Sequence, residues 1–417
     1  MRLIIFEDEF FDKLYPISYL RPVFELKCGT ISLRERIERE FKNPDSFYFM
    51  RDYLVPVFSK KFGSNRVNQM SSLQGDDLLI VNGRLLALDI ELASGEEGYF
   101  EIEGQLAFIF VKKENLDSSV SSLGELLKVM KSKLPNKTVS ATMIDFPWNL
   151  VQNNSRAIKA DFDRLPDKGI HGELSSQAAI VGDKNLIHIA EGASVRPFVT
   201  LDTTNGPIII DKNAIIHPMT HIEGPNYTGE NTYIFGGNIR EGCSFGPVCR
   251  LHGEIEESII HGYSNKHHDG FLGHAYLGEW VNLGAFTTNS DLKNDYSSVQ
   301  LYVKGELTDS EDMKVGSFIG DHTKTSIGTI INTGAMIGVM SNVVGSGKLI
   351  PKFVPSFCWY LNDKVTKGRG MKKMIETSGK AMSRRGVEMT AEDEEMFRVV
   401  YELTKEERTF WIKKSFA

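Results

Sequence analysis

From about residue 185 onward an apolar or β-branched residue recurs every six positions, and very few folds accept that period. Ile189, Val195 and Leu201 are six apart, as are Ile210, Ile216 and Ile222, and then Ile239, Phe245 and Leu251. Leu277, Val281 and Leu283 continue the pattern, and Ile319, Thr325, Ile331, Ile337 and Val343 form one unbroken run. Four positions after most of these stands a small residue, such as Ala193, Ala214, Cys243, Thr287 or Ser341. Three six-residue segments make one triangular coil of a parallel β-helix. The apolar residue points inward and stacks on its neighbours in adjacent coils, while the small one fits near a corner. Short antiparallel strands would show a period of two instead. The expected architecture is therefore a left-handed parallel β-helix of hexapeptide repeats. The pattern breaks near 202–208, 224–233 and 295–317, where protruding loops are expected. It stops after Pro351 and Pro355.

The first half has a different texture. Leu3–Phe6, Asp77–Asn82 and Leu106–Val111 read as strands, with an Asn-Gly turn at Asn82. Ser32–Phe41 and Leu123–Leu134 have helical spacing. Such alternation predicts an α/β layer domain. The tail from about residue 361 is rich in Lys, Arg, Glu and Met, with helical spacing over Glu392–Lys413. It reads as a cap on the last coil, or else as a segment that covers substrate or a partner. The expected division is 1–165 (α/β), 166–360 (β-helix) and 361–417 (helical tail).

A net charge of -7 over 417 residues leaves no basic footprint for nucleic acid, although a locally basic site for an anionic substrate remains open. The opening MRLIIFEDEF runs straight from a short apolar stretch into acids, unlike a signal peptide. No run of about 18 apolar residues is present, so no membrane span is expected. Cys28, Cys243, Cys249 and Cys358 form no CxxC pair, which suits a reduced, cytoplasmic protein. His267, His268 and Asp269 stand together, but adjacent histidines on a strand face opposite ways, so no metal site is assigned there.

The segment Gly273–Lys293, GHAYLGEWVNLGAFTTNSDLK, closely resembles the acetyltransferase half of bifunctional N-acetylglucosamine-1-phosphate uridylyltransferase/glucosamine-1-phosphate acetyltransferase. The whole chain looks closer still to that enzyme's shorter sugar-nucleotidyltransferase-like relatives. The resemblance is strong over Arg250–Val343 and weak in the first half. It implies that His274 is the general base that takes a proton from a sugar amine. It implies that Asn289 positions amine and thioester, and that the Ala285 N–H donates to the developing oxyanion. It further implies phosphate contacts for Arg250 and Lys266, and sugar contacts for Tyr276 and Asn282. Asn282 and Asn289 have an alternative role as stacking residues of the coil. Phe286 stands where the family has Gly, which bears on the acceptor pocket. The implied co-substrate is acetyl-CoA, and the implied assembly is a homotrimer with sites at subunit clefts.

The family's glycine-rich phosphate loop is missing: FEDEFFDKLYP holds no glycine. LYPISYLRPVFELKCG (Leu14–Gly29) keeps part of the pattern and leaves Arg21 and Lys27 as cationic candidates for a nucleotide. In DDLLIVNGR, Arg84 replaces the family's metal-binding aspartate. An arginine cannot ligate magnesium but can neutralise phosphate directly. Either this half is a divergent nucleotidyltransferase, needing Mg2+ if active, or it kept the fold and lost the reaction; the second reading is favoured. The expected activity is acetyl-CoA-dependent N-acyl transfer to a hexosamine phosphate or nucleotide amino sugar. The alternatives are a sugar-1-phosphate nucleotidyltransferase and a non-catalytic sugar-nucleotide-binding scaffold.

Overall fold

The computed structural model describes residues 1–42, 45–88, 90, 96–116 and 120–416. They form two compact units. The first comprises Met1–Asp12, Arg21–Leu26 and Ile31–Asp145; the second comprises Lys13–Leu20, Lys27–Thr30 and Phe146–Ala417.

The first unit is built on a six-stranded mixed sheet. Arg2–Phe6 runs parallel to Ser46–Phe49 on one side and to Leu78–Asn82 on the other. Gln105–Val111 pairs antiparallel to Leu78–Asn82. All five residues of Leu78–Asn82 are buried, as expected of a central strand covered on both faces. The helix Leu33–Phe41 starts at Ser32, whose hydroxyl accepts from the Glu35 N–H while the Glu35 carboxylate accepts from the Ser32 N–H.

The second unit is a parallel β-helix with three faces. One face starts at Glu173–Leu174 and reaches Asn265–Lys266; the second runs from Ala179–Val181 to Phe271–Gly273. The third is a nine-stranded ladder from Ile187–Ile189 to Phe353–Val354. The six-residue period is the inward row. Ile189, Val195, Leu201, Ile210, Phe245, Leu251, Ile319 and Val343 all lie in one core at no more than 1% exposure. The small residues sit at the corners: Ala214, Cys243, Thr323 and Ser341 are fully buried.

The structure departs from the sequence reading in several places. The stretch 224–233 does not protrude. Asn226–Thr228 is a strand of the third face, in register with Ile208–Ile210 and Cys243–Phe245, and Thr228 takes the inward position. A polar residue on the inward row hid that coil. The coils also continue past Pro351, because Phe353–Val354 and Trp359–Leu361 still pair in parallel with the coil before. Residues 295–317 do leave the coil, as an antiparallel hairpin of Gln300–Val303 with Glu306–Asp309.

The units part at Asp145, earlier than position 165. The helix Asn154–Asp163 lies on the solenoid because its Ile158 and Phe162 pack against Ile209 and Tyr227. Asn154 is buried there, donating to the Gly242 carbonyl and accepting from the Ser244 hydroxyl and the Gly29 N–H. The tail forms the helices Met371–Ser383, Ala391–Leu403 and Lys405–Lys414. Trp411 packs against Tyr302 and Phe353 at the end of the solenoid. No described helix is long and apolar enough to cross a membrane.

Candidate active site

His274 stands at the corner that follows the second face, in the left-handed region at φ 48°. Its backbone is held from both sides. The N–H donates to the Glu256 carbonyl at 3.1 Å, and the carbonyl accepts from the Gly316 N–H at 3.0 Å. Its imidazole is outside the apolar core and its side chain keeps 15% of its surface exposed. Nδ1 lies 2.8 Å from Asp291 Oδ2. That pairing assigns the proton to Nδ1 and leaves the Nε2 lone pair available, with no partner among the described residues.

Asp291 was not singled out from sequence. It lies 17 residues after His274, one coil further on, just as Asn282 follows Asn265. Counting by coils instead of by motif finds it. Burial pushes its carboxyl up, but the hydrogen bond and charge of His274, and then Lys314, outweigh that and leave it below the usual carboxylate range. Glu257, one coil before His274, moves the other way, because burial raises it more than His274 lowers it.

Asn289 supports this corner from within. It pairs in register with the core residue Ile331, so it sits on the inward row. Its Oδ1 accepts from the Gly273 N–H and its Nδ2 donates to the Gly273 carbonyl, both at 2.9 Å. The amide therefore clamps the residue immediately before His274. Gly316 crosses this clamp so closely that an added Cβ would strike the Gly273 carbonyl and come within 2.6 Å of Asn289 Nδ2.

The other expected residues lie elsewhere. Arg250, Asn282 and Ala285 line an open cleft of about 550 Å³ at the opposite edge of the second face. His267, Arg384 and Arg385 line it too, the last two from the segment after the first tail helix. Arg250 stacks on Tyr233 with 3.9 Å from guanidinium to ring centre. Burial, and then the charge of Arg385, depress its guanidinium; burial and then Arg384 do the same to Arg385. His267 is lowered by burial and then by His268, His252 and the two arginines. No carboxylate lines the cleft among the described residues. The charged side chains of its lining are thus all cationic, which suits an anion. The Ala285 carbonyl accepts from the Gly328 N–H, and its own N–H has no acceptor among the described residues.

Lys266 and Tyr276 are buried. Lys266 takes an inward position beside Leu251, and its ammonium donates to the His252 and His268 carbonyls. Burial lowers it to about 8. The Tyr276 hydroxyl lies 3.0 Å from His261 Nδ1 and accepts from the Lys27 N–H. Lys27 thus belongs to the solenoid unit, while Arg21 is buried in the α/β unit, where its carbonyl accepts from Arg51. No group of three or more His, Cys, Asp or Glu side chains suited to a metal ion occurs among the described residues.

Arg84 corrects the reading given above. It is fully buried, and all five of its guanidinium N–H groups are used within the α/β unit. Nε and Nη2 donate to Asp8, Nη2 also to Gln105, and Nη1 to Asp145 and to the Ile144 carbonyl. Nothing remains for a phosphate.

Residues 3–169 match the family model described as sugar nucleotidyl transferase. A bifunctional sugar-1-phosphate nucleotidylyltransferase/acetyltransferase of Sulfurisphaera tokodaii is 24% identical over 364 residues, covering 82% of this chain and 72% of that protein. The bifunctional protein GlmU of a Thermotoga species is 28% identical over 186 residues, which span 36% of this chain and 37% of that one. A solved UDP-N-acetylglucosamine acyltransferase aligns at 17% identity over 56% of this chain and 90% of that chain, with a TM-score of 0.20. This chain thus joins a sugar nucleotidyl transferase-type domain to a β-solenoid, and the relatives it resembles are named as transferases. The chain is thus similar over most of its length to a bifunctional sugar-1-phosphate nucleotidylyltransferase/acetyltransferase, and over about a third of it to GlmU proteins.

Proposed function

We propose that the chain is an acetyl-CoA-dependent N-acyltransferase acting on a hexosamine phosphate or a nucleotide-activated amino sugar. The observation that carries this reading is the His274–Asp291 pair, with Nδ1 engaged and Nε2 left open. The amine nitrogen of the acceptor attacks the thioester carbonyl carbon, and His274 Nε2 takes the proton that the nitrogen sheds. As the C–S bond breaks, that proton passes to the departing sulfur, giving the free thiol of CoA and the amide. Asp291 fixes the tautomer and stabilises the imidazolium between the two transfers. Asn289 and Gly316 position the backbone on which His274 stands. The Ala285 N–H is suited to the oxyanion, and the Arg250–Arg385 cleft is suited to phosphate.

His274 and Ala285 lie at the two edges of one face, on the order of 15–20 Å apart for a six-residue side at about 3.3 Å per residue. A second copy of the chain brings the two halves together, as in a trimer with sites at its clefts. Phe198, Met219, Phe286 and Ile327 support such an assembly, because each is at least 61% exposed. The four free, buried cysteines accord with a reduced, cytoplasmic setting.

The test is thiol release from acetyl-CoA across a panel of amino-sugar 1-phosphates and nucleotide amino sugars. Release is expected with the wild type and at least one acceptor, and is lost in His274→Ala with the oligomer intact. Release that survives His274→Ala at full rate removes His274 as the base, and no release with any acceptor defeats the reading and leaves a binding scaffold.

A further inference from the structure

The divalent metal expected of an active nucleotidyltransferase-like domain does not fit this α/β unit. We infer that Arg84 is the resident cation of the domain, bridging Asp8 and Asp145 where a metal would otherwise be held, and that the domain binds no Mg2+ or Mn2+ there.

The argument is one of occupancy. A divalent ion of this kind needs carboxylate oxygens drawn in to about 2.0–2.1 Å. Here the oxygens are spread around a planar guanidinium. Asp8 faces Arg84 through both oxygens, at 2.9 and 3.2 Å from Nε, and Oδ2 lies 2.5 Å from Nη2. Asp8 Oδ2 also accepts from Asn82 Nδ2 at 2.9 Å. Asp145 Oδ1 lies 2.5 Å from Nη1, and its Oδ2 accepts from Gln105 Nε2 at 3.2 Å. Arg84 and an amide side chain hold each carboxylate, and the Phe10 N–H also donates to Asp8 Oδ1 at 3.2 Å.

The backbone enforces the arrangement. The Arg84 N–H donates to Asn82 Oδ1 and the Arg84 carbonyl accepts from the Ile144 N–H. The Phe10 ring lies 5.3 Å from the guanidinium carbon. A side chain that is fully buried, with every donor paired, cannot swing aside for an incoming ion without leaving donors unsatisfied. The domain brings two acids together, yet their partner is covalently part of the chain. This inference concerns the α/β unit alone and stands or falls independently of acetyl transfer by the solenoid.

Electron paramagnetic resonance of free Mn2+, titrated against the full chain, tests it. The wild type is expected to remove no more Mn2+ from solution than its Asp8→Asn variant. Arg84→Ala leaves Asp8 and Asp145 facing each other across a gap, and is expected to gain one Mn2+ site at least tenfold tighter than anything in the wild type. Stoichiometric Mn2+ binding by the wild type that disappears in Asp8→Asn overturns the inference. So does Mg2+-dependent pyrophosphate release from a nucleoside triphosphate that Asp8→Asn abolishes. A folded Arg84→Ala chain that takes up no Mn2+ removes Arg84 as the excluding group. If that variant does not fold, the wild-type and Asp8→Asn titrations decide alone.

Discussion

Two pairings of an acid with a basic side chain divide this molecule, and they differ in what they leave over. In the α/β unit, Asp8 and Asp145 close around a fully buried Arg84 until no donor is free. At the solenoid corner, Asp291 takes one nitrogen of a half-buried His274 and leaves the other open. The first arrangement spends its polarity on holding a fold together. The second uses the same kind of contact to aim a group that still has a lone pair to offer. Polar clusters that look alike in sequence are separated by whether their hydrogen-bonding capacity is exhausted.

Replacing the open group is expected to have the largest effect. His274→Ala should lower the rate of thiol release by about 10²–10⁴-fold, the usual range for a general base. Its thermal melt should move less than that of Arg84→Ala, because it strands one carboxylate, Asp291, where Arg84→Ala strands two. A comparable loss of stability with unchanged specific activity would erase the contrast drawn above. Arg84→Ala should do the reverse and destabilise the α/β unit by about 3–5 kcal/mol, since it strands two carboxylates. Urea unfolding read by a fluorophore confined to that unit measures this directly.

Asp291→Asn sharpens the comparison. If Asp291 acts through His274, its loss should cost on the order of 10²-fold in rate, the scale of a misplaced reacting group. The double variant with His274→Ala should then be no slower than His274→Ala alone. Additive losses would show that Asp291 acts on its own. Gly316→Ala tests the support beneath. Its new methyl group meets the Gly273 and His274 carbonyls and Asn289 Nδ2, and a strain of about 1–3 kcal/mol is expected in a thermal melt.

The solenoid was legible from sequence because its rule is local and repetitive. Ile319 to Val343 fill the inward row as the period requires, with Thr325 the one polar member. The same rule failed at Asn226–Thr228, where the inward position is polar, and after Pro351, where spacing drifts while pairing continues. Site residues were legible by type but not by commitment. Lys266 and Arg84 both have the charge to meet a phosphate, yet Lys266 is tied to two carbonyls and Arg84 to two carboxylates. Of those partners the His268 carbonyl is two residues away, but the His252 carbonyl is 14 residues off and Asp145 and Asp8 are 61 and 76, beyond the reach of a local motif. Asp291 escaped notice for a related reason, since its link to His274 is measured in coils.

A third pairing of an acid with a cation extends the comparison into pH. Glu407 lies next to Arg408 in the last helix, Lys405–Lys414. Burial raises its carboxyl from 4.5 to about 7, and the charge of Arg408 offsets only part of that. The folded chain therefore holds a proton there that the unfolded chain has already lost between about pH 4.5 and pH 7. The contribution of Glu407 to stability must fall as pH rises through that window and stay level on either side. Glu407→Gln removes the titration. It should match the wild type below pH 4.5 and exceed it above pH 7, by on the order of 1 kcal/mol once partial exposure is allowed for. Chemical denaturation at pH 4 and pH 8 measures both ends. A variant that is less stable than the wild type at pH 8 would mean that Arg408 outweighs burial, which would make this pair a saturated one like that of Arg84.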